Sequence, residues 1–177
     1  MISIINKYNF FLFNTFMDEL NKIDINKINL WKLSGTHFCK IQKVYDGDTP
    51  TIIIKINKEF FAFNVRLIGL DTPEIHPRNE NLLEKASEHL LGIKARNKLI
   101  ELVTDQAIII DKKYTNDELK FIFNNNKKII TVEFSEEQDK YKRPLVKLYD
   151  KGNCINDILI NQNFAKSYNG TTKEKWV

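Results

Sequence analysis

The sequence predicts an α+β fold, in which a small β-barrel of five short strands carries helices on its outside. Short runs of apolar and β-branched residues recur between turn residues, and a long amphipathic segment follows the third run. At 177 residues the chain has room for one domain with a sizeable core, and its 42% hydrophobic content is typical of a globular protein. We therefore expect a folded domain, not a disordered or fibrous chain.

The first three strands are predicted between residues 38 and 67. The ranges 38–44 and 51–56 are short runs rich in β-branched residues, and the dipeptide Asp46-Gly47 between them is a strong hairpin signal. Residues 61–67 alternate between apolar and polar side chains, as a half-buried strand does. Three consecutive strands predict a meander.

A long helix is predicted over residues 80–103, because apolar residues recur there every three or four positions. The polar stretch at about 112–128 is expected to be a surface insertion. The remaining predicted elements are strands at 107–110, 129–134 and 145–149 and a short helix at 155–162. Short strands with one long helix after the third are typical of an oligonucleotide-binding fold with attached helices.

Residues 1–34 are expected to form a partly helical N-terminal extension that packs on a domain of residues 35–177. Phe13, Phe16, Met17 and Leu20 fall at helical spacing. No small-residue cleavage site follows the early apolar residues, and no apolar run approaches the ~18 residues of a membrane span. These features favour an intracellular or virus-encoded protein without a membrane span, with secretion as the alternative.

The charged residues narrow the class of partner only slightly. A formal net charge of +4 permits a polyanionic partner without requiring one. Two cysteines, Cys39 and Cys154, cannot form a four-thiolate metal site, although one disulfide between them stays open. Arginine is scarce among the 27 basic residues, so its positions are informative: Arg66, Arg78, Arg96 and Arg143.

The turn after the first strand, DGDT at residues 46–49, carries two aspartates. Taken alone, Asp48 has an ordinary explanation as a turn-favouring residue exposed to water. A second acidic turn, LDTPE at residues 70–74, makes that explanation less convincing.

The second turn resembles a helix-capping box, since Asp71 is followed three residues later by Glu74. Pro77 opposes a helix there, so an ordered loop is expected, and Pro73 biases Thr72 toward extended backbone. Hard divalent cations such as calcium prefer carboxylate and carbonyl oxygens. Asp48, Asp71 and the Thr72 carbonyl would supply half of such a shell, with water or a phosphate oxygen completing it.

Three motifs together resemble the staphylococcal nuclease (thermonuclease) family. DGDT at 46–49, RLIGLDTPE at 66–74 and DKYKRPL at 139–145 occur in that family's order, and the resemblance covers about residues 38–170. It implies a calcium-dependent phosphodiesterase that acts on DNA and RNA and is built on an oligonucleotide-binding barrel. We expect one calcium ion per site, a monomer, and a preference for single-stranded or denatured substrates.

The resemblance also implies roles for individual residues by motif position. The metal is held by Asp48, Asp71 and the Thr72 carbonyl, with Asp46 behind these ligands. The residues that act on the substrate are Arg66 and Arg143 on the phosphate, Glu74 on the attacking water, Lys140 and Tyr141 on the terminal phosphate and nucleoside, and Tyr168 as a second stacking platform.

These residue types suit phosphodiester hydrolysis. In-line attack concentrates negative charge on the non-bridging oxygens, so catalysis depends mainly on positive charge placed around them. The planar fork of arginine makes two parallel bonds to a phosphate, whereas lysine offers a point charge. A glutamate is a weak base at its usual pKa of about 4.3, so Glu74 either positions the water or removes its proton.

Two prolines depart from the family pattern. Pro50 stands where an apolar strand usually continues and predicts an edge or a bulge. Pro144 restricts the backbone of Arg143. The main alternative is a nuclease-like module that binds nucleic acid or protein without cutting, but such modules usually lack one of the arginines or carboxylates, and none is missing here.

Overall fold

The computed structural model describes residues 15–24, 32–78 and 80–177. The chain divides into two compact units, Met1–Lys32 and Leu33–Val177. In the first unit, residues 15–21 form a helix, α1. Phe16, Met17 and Leu20 of the predicted helical spacing lie in α1, whereas Phe13 lies outside the described residues.

The second unit combines short strands with three helices within its described residues. Its strands are β1 (Gly35–Asp46), β2 (Thr49–Ile56), β3 (Glu59–Asn64), β4 (Arg66–Leu67), β5 (Leu70–Asp71), β6 (Ile130–Gln138), β7 (Pro144–Asp150), β8 (Asn153–Cys154) and β9 (Lys166–Ser167). Its helices are α2 (Leu82–Val103), α3 (Asn116–Asn125) and α4 (Ile155–Asn161).

The main sheet is mostly antiparallel. Its strand order is β3-β2-β1-β6-β7-β4, with β8 paired to β7 and with β4 parallel to β7. A second sheet pairs β5 with β9. The mixed α/β class and the predicted meander of β1, β2 and β3 are confirmed.

The strand pairing of the described residues leaves the main sheet open, with β3 and β4 at its two ends, and does not close it into the expected barrel. Two backbone hydrogen bonds nevertheless connect the chain around β4 to the start of β2. Val65 N–H donates to the Pro50 carbonyl at 3.0 Å, and Leu67 N–H donates to the Asp48 carbonyl at 2.9 Å. These bonds fix the strand that carries Arg66 beside the turn that carries Asp48.

The core lies between the inner face of the main sheet and the C-terminal half of α2. Its fully buried side chains include Ile41, Ile52, Leu67, Leu99, Ile100 and Leu148. The predicted apolar face of α2 is correct only from Gly92 onward, because Leu83 and Leu90 are exposed. The helix begins at Asn81, whose side chain accepts from the backbone N–H groups of Leu83 and Glu84.

The predicted strand at 107–110 is wrong, since that segment has no strand pairing. The fully buried Asn97 of α2 explains the difference. Its side-chain amide donates to the carbonyls of Ile109, Ile110 and Lys112 at 3.3, 2.8 and 2.7 Å. A side chain thus satisfies backbone acceptors that a neighbouring strand would otherwise satisfy.

The segment predicted as a surface insertion, 112–128, contains α3. This helix begins at a capping box formed by Thr115 and Glu118. Ile122 and Phe123 pack into the core, so part of the segment is structural. Because most residues around these two apolar side chains are polar, the composition of the segment does not indicate that the two are buried.

Two further expectations have clear outcomes. Cys39 and Cys154 are both free thiols, so the disulfide left open by the sequence does not form. In the described ranges, none of the helices combines the length and the apolar content that a membrane crossing requires.

Candidate active site

Arg66 lies between the two aspartates that the sequence assigns to a metal. Its Nη1 is 2.8 Å from Asp48 Oδ2, and its Nη2 is 3.0 Å from Asp71 Oδ1. Asp48 and Asp71 are 3% and 4% exposed. One guanidinium therefore spans both carboxylates, and the two turns meet at a single buried point.

The turn that carries Asp48 is held against α2. A Cβ atom on Gly47 would lie 2.8 Å from the Ala95 Cβ and 3.0 Å from the Thr72 methyl group, so only glycine fits this approach. The Thr49 hydroxyl donates to Asp48 Oδ1 at 2.7 Å and orients that carboxylate. A register shift between Val44 and Asp46, beside Pro50 in the ladder, confirms the predicted bulge.

The segment after β5 is an ordered loop, as Pro77 predicts, and it also rests on α2. A Cβ atom on Gly92 would lie 2.8 Å from the carbonyl carbon and oxygen of Glu74. Ile75 N–H donates to Asp46 Oδ1 at 3.2 Å, and His89 Nδ1 donates to the Ile75 carbonyl at 2.6 Å. Contacts from two elements thus fix the backbone next to Glu74.

Burial shapes the charge of the acidic turns. Desolvation raises the pKa of Asp46 from 3.8 to about 6, and the hydrogen bond from Ile75 opposes this rise. Burial also raises the pKa of Asp48, against the opposing effects of Arg66 and the Thr49 hydroxyl. The neighbouring carboxylates of Asp48 and Asp71 raise the pKa of Arg66 although burial lowers it. Burial thus disfavours the charged forms of Asp46 and Asp48, and a cation beside the carboxylate, as Arg66 is beside Asp48, offsets that effect.

Arg143 approaches the same turns from the hairpin between β6 and β7. Its Nε pairs with Asp139 Oδ2 at 2.7 Å, and its Nη1 lies 3.4 Å from Thr49 Oγ1. Thr49 in turn bonds to Asp48, so Arg143 reaches the site beside Asp48 even though Pro144 follows it. The structure brings Arg66 and Arg143 to the same turn, but Arg66 alone touches both carboxylates among the described contacts.

The predicted substrate-binding aromatics occupy different surroundings. Tyr141 is 68% exposed, and its ring lies under Arg143 at 5.5 Å and near Lys140 Nζ at 5.1 Å. Tyr168 is half-buried, and its hydroxyl donates to the Thr171 carbonyl at 3.1 Å. Tyr141 is thus an exposed ring flanked by two cationic side chains, whereas Tyr168 anchors the start of the C-terminal segment.

Sequence reasoning missed two residues at the site. Lys173 Nζ lies 2.6 Å from Asp71 Oδ1 and 3.1 Å from Glu74 Oε1. Trp176 Nε1 lies 3.5 Å from Asp71 Oδ2. Both follow the last residue covered by the family resemblance and stand in a polar, lysine-rich stretch. The tryptophan is the one local feature that suggests a contact between this polar stretch and the rest of the domain.

The donor atoms fit a hard cation such as calcium. Two buried carboxylates converge on one guanidinium, and the buried Thr72 hydroxyl beside them has no hydrogen-bond partner among the described residues. Oxygen ligands of this kind are what calcium prefers. Within the described ranges, no three histidine, cysteine, aspartate or glutamate side chains form a metal-binding group, so backbone oxygens or substrate would have to complete the shell.

Two acidic turns beside two arginines, on a mixed α/β domain with a mostly antiparallel sheet, define a nuclease-like domain. The family model described as "Staphylococcal nuclease homologue" matches residues 64–176. The chain belongs to this family, which confirms the resemblance found in the motifs.

A curated relative is the uncharacterized protein MJ1439 of Methanocaldococcus jannaschii. The two are 32% identical over 123 residues, which cover 59% of this chain and 56% of the relative. The chain thus spans about half the length of the curated relative that it matches, and the name of that relative states no activity.

Proposed function

We propose that this domain is a calcium-dependent nuclease that hydrolyses phosphodiester bonds of DNA and RNA. The observation that carries the proposal is the pairing of Arg66 with both Asp48 and Asp71, at 2.8 and 3.0 Å. Such an arrangement holds a phosphate-binding cation directly beside two metal-binding carboxylates. Membership of the nuclease family supports the same interpretation.

Asp48, Asp71 and the Thr72 carbonyl are the residues that would hold calcium, with Asp46 behind them. When bound, the ion supplies positive charge to the phosphate and lowers the pKa of a bound water. Asp46 accepts a hydrogen bond from Ile75 and so keeps the Thr72–Ile75 backbone in place.

Arg66 and Arg143 would bind the phosphate and stabilise the charge that develops on its oxygens. A guanidinium has five N–H donors, and the two ion pairs of Arg66 engage only Nη1 and Nη2. Donors of Arg66 therefore remain for the substrate. Asp139 holds the Nε of Arg143, and Nη1 of Arg143 lies beside Thr49, so Nη2 has no assigned partner among the described contacts.

Glu74 would orient the attacking water or accept its proton. Its side chain is about half exposed, so water has access to it. Gly92 fixes the Glu74 backbone against α2, which limits how far the carboxylate moves from the neighbouring Asp71. We propose that this fixed position, more than basicity, is the contribution of Glu74.

Substrate binding would extend along the hairpin that carries Arg143. The exposed ring of Tyr141 offers a stacking surface for an unpaired base, with Lys140 beside it for a phosphate. A second base would stack near Tyr168. These surfaces favour single-stranded or denatured substrates bound by a monomer. We further propose that the hydrogen bonds from Val65 and Leu67 to β2 and its turn close the sheet as an oligonucleotide-binding barrel.

The test is digestion of denatured DNA and of RNA with added calcium and with chelator. We expect cleavage only with calcium. Arg66→Ala and Arg143→Ala should each reduce the rate by orders of magnitude, because each removes charge stabilisation of the transition state. Arg78→Ala is the matched control, since Arg78 is exposed and has no ion pair in the described part of the chain. Equal digestion with chelator, or full activity of both arginine variants, would refute the proposal.

The second candidate is a nuclease-like module that binds nucleic acid without cutting it. The observation in its favour is Lys173, which already pairs with Asp71 and Glu74. Binding of single-stranded DNA without cleavage at any calcium concentration, by both the native protein and a variant without the Lys173 charge, would favour this candidate.

A further inference from the structure

We propose that residues 169–177 form a strap over the active site, and that the Lys173 ammonium group competes there with the divalent cation. The inference rests on the proposed function, because it concerns the same carboxylates. It goes beyond that function by assigning a regulatory role to a segment outside the three motifs.

The strap leaves the domain at a fixed point next to the site. β9 pairs with β5, so that Lys166 lies opposite Asp71, and the backbone N–H of Tyr168 donates to the Gly69 carbonyl at 3.0 Å. Thr171 then donates through both its N–H and its hydroxyl to Asn169 Oδ1, at 3.3 and 2.7 Å. This turn directs the following residues back over Asp71.

The strap contacts the site through polar groups. Lys173 Nζ lies between Asp71 and Glu74, and Trp176 Nε1 lies 3.5 Å from Asp71 Oδ2. Lys166 of β9 contacts the strap at two points. Its Nζ donates to the Lys175 carbonyl at 2.7 Å and lies 4.8 Å from the Trp176 ring centre. Beside these contacts, a cavity of about 250 Å³ is lined by strap residues together with Thr72, Glu74 and Glu88.

The strap can be displaced from the site by another cation. The Lys173 side chain is 44% exposed, so a dissolved ion can reach its pair with Asp71, although the Asp71 side chain itself is only 5% exposed. A buried carboxylate needs a cationic partner, and a divalent ion would replace the ammonium group in that role. A segment held mainly by exposed polar contacts opens without unfolding of the domain. The strap is therefore suited to move while β5 and β9 stay paired.

The competition between the Lys173 ammonium group and a divalent cation follows from their like charges. Asp71 already has Arg66 and Lys173 as cationic neighbours, at 3.0 and 2.6 Å. A divalent cation at the same carboxylate would be repelled by the ammonium group so close to it. Of the two cations, Lys173 is the more exposed, at 44% against 14% for Arg66, and it belongs to the strap, so Lys173 is the one that the ion displaces. By reciprocity, a docked strap weakens binding of the ion.

The first measurement is calcium affinity by isothermal titration calorimetry, with the full chain and no nucleic acid. We expect Lys173→Gln to bind calcium about three- to tenfold more tightly, as removal of one half-exposed competing charge predicts. Lys173→Arg keeps the charge and should stay close to the native affinity. Lys175→Gln is the matched control, because it removes the same charge from the same segment and its side chain forms no ion pair in the described ranges.

The second measurement follows strap movement by fluorescence and does not depend on any variant of Lys173. Trp31 and Trp176 are the two tryptophans of the chain, so a Trp31→Phe variant reports on Trp176 alone. We expect calcium to shift the Trp176 emission to longer wavelength as the indole leaves Asp71 and meets water. Far-ultraviolet circular dichroism confirms that each variant is folded.

The outcomes separate the strap from the catalytic proposal. Cleavage with calcium, combined with equal calcium affinity of Lys173→Gln and the native protein and an unchanged Trp176 emission, overturns the strap and leaves the nuclease intact. Calcium binding and cleavage by Lys173→Gln but not by the native protein would support the strap strongly. Failure of both proteins to bind calcium overturns both proposals.

Discussion

Arg66 has a structural role that can be measured apart from catalysis. It is the cation that faces Asp48, and Asp48 is 3% exposed. Replacement by methionine, Arg66→Met, keeps much of the volume and removes the charge. We expect the variant to fold but to lose stability in chelator, because it leaves a buried carboxylate without an ion-pair partner.

The magnitude follows from the number of carboxylates left unpaired. Breaking a buried ion pair by removing one partner costs ~3–5 kcal/mol. Lys173 still neutralises Asp71, so Asp48 alone is left unpaired, and the Thr49 hydroxyl still donates to it. We therefore expect a loss near the lower limit, about 3 kcal/mol. With a urea slope of ~2 kcal/mol per molar, the unfolding midpoint should fall by roughly 1.5 M.

The assay is urea unfolding at pH 7.5 in chelator, arranged as a double-mutant cycle. Asp48→Asn in the Arg66→Met background removes the unpaired charge and should recover at least about 1.5 kcal/mol of the loss. Arg143→Met is the control, because its partner Asp139 is nearer to solvent and its loss should be smaller. A coupling energy near zero between Arg66 and Asp48 would refute the reasoning.

Three further predictions concern the support of the site; stability is measured in chelator, and cleavage is measured with added calcium. Asp46→Asn should raise the free energy of unfolding at pH 7.5 by up to roughly 3 kcal/mol, at ~1.36 kcal/mol per pH unit between 3.8 and about 6. The folded protein holds the Asp46 proton more tightly than the unfolded chain does, so the charged Asp46 carboxylate lowers the stability of the native protein fully above about pH 6 and not at all below pH 3.8. An Asp46→Asn variant less stable than the native protein at pH 7.5 would contradict this prediction. Gly92→Ala should lower the thermal midpoint and the cleavage rate together. The added methyl group would overpack against Glu74 at a cost of ~1–3 kcal/mol, which outweighs the ~1 kcal/mol gain in helix propensity. A more stable variant would show that the loop that carries Glu74 moves freely. Asn97→Ala should cost ~2–3 kcal/mol in urea unfolding, because it leaves the carbonyls of Ile110 and Lys112 without the donor that Asn97 supplies. The KM of cleavage should stay unchanged, and an unchanged unfolding midpoint would argue against this role of Asn97.

Most of the secondary structure was predictable because local patterns dominate it. Alternating runs and Asp46-Gly47 locate β1 and β2, and Pro77 excludes a helix after Asp71. The segment at 107–110 was not predictable, because its carbonyls are satisfied by the side chain of Asn97, which lies on another element. No local pattern records a partner that is distant in sequence.

The candidate site was predictable to a similar extent. The motifs name Asp48, Asp71 and Arg66, and the structure brings these three together. The motifs do not show that position 92 requires glycine, because the atoms that a Cβ at this position would meet belong to Glu74, on a different segment of the chain. Arg96 is one of the four arginines noted in the sequence, but no motif assigns it to the site, although its charge acts to lower the pKa of Asp46.

The sequence by itself determined the family and the meander of the first three strands, because motif identity and hydrophobic period are properties of neighbouring residues. Only the tertiary structure decided which charges meet. Lys173 lies 99 residues beyond Glu74 in sequence yet 3.1 Å from its carboxylate. That proximity arises from the pairing of β5 with β9 and the turn at Asn169, which no local pattern encodes.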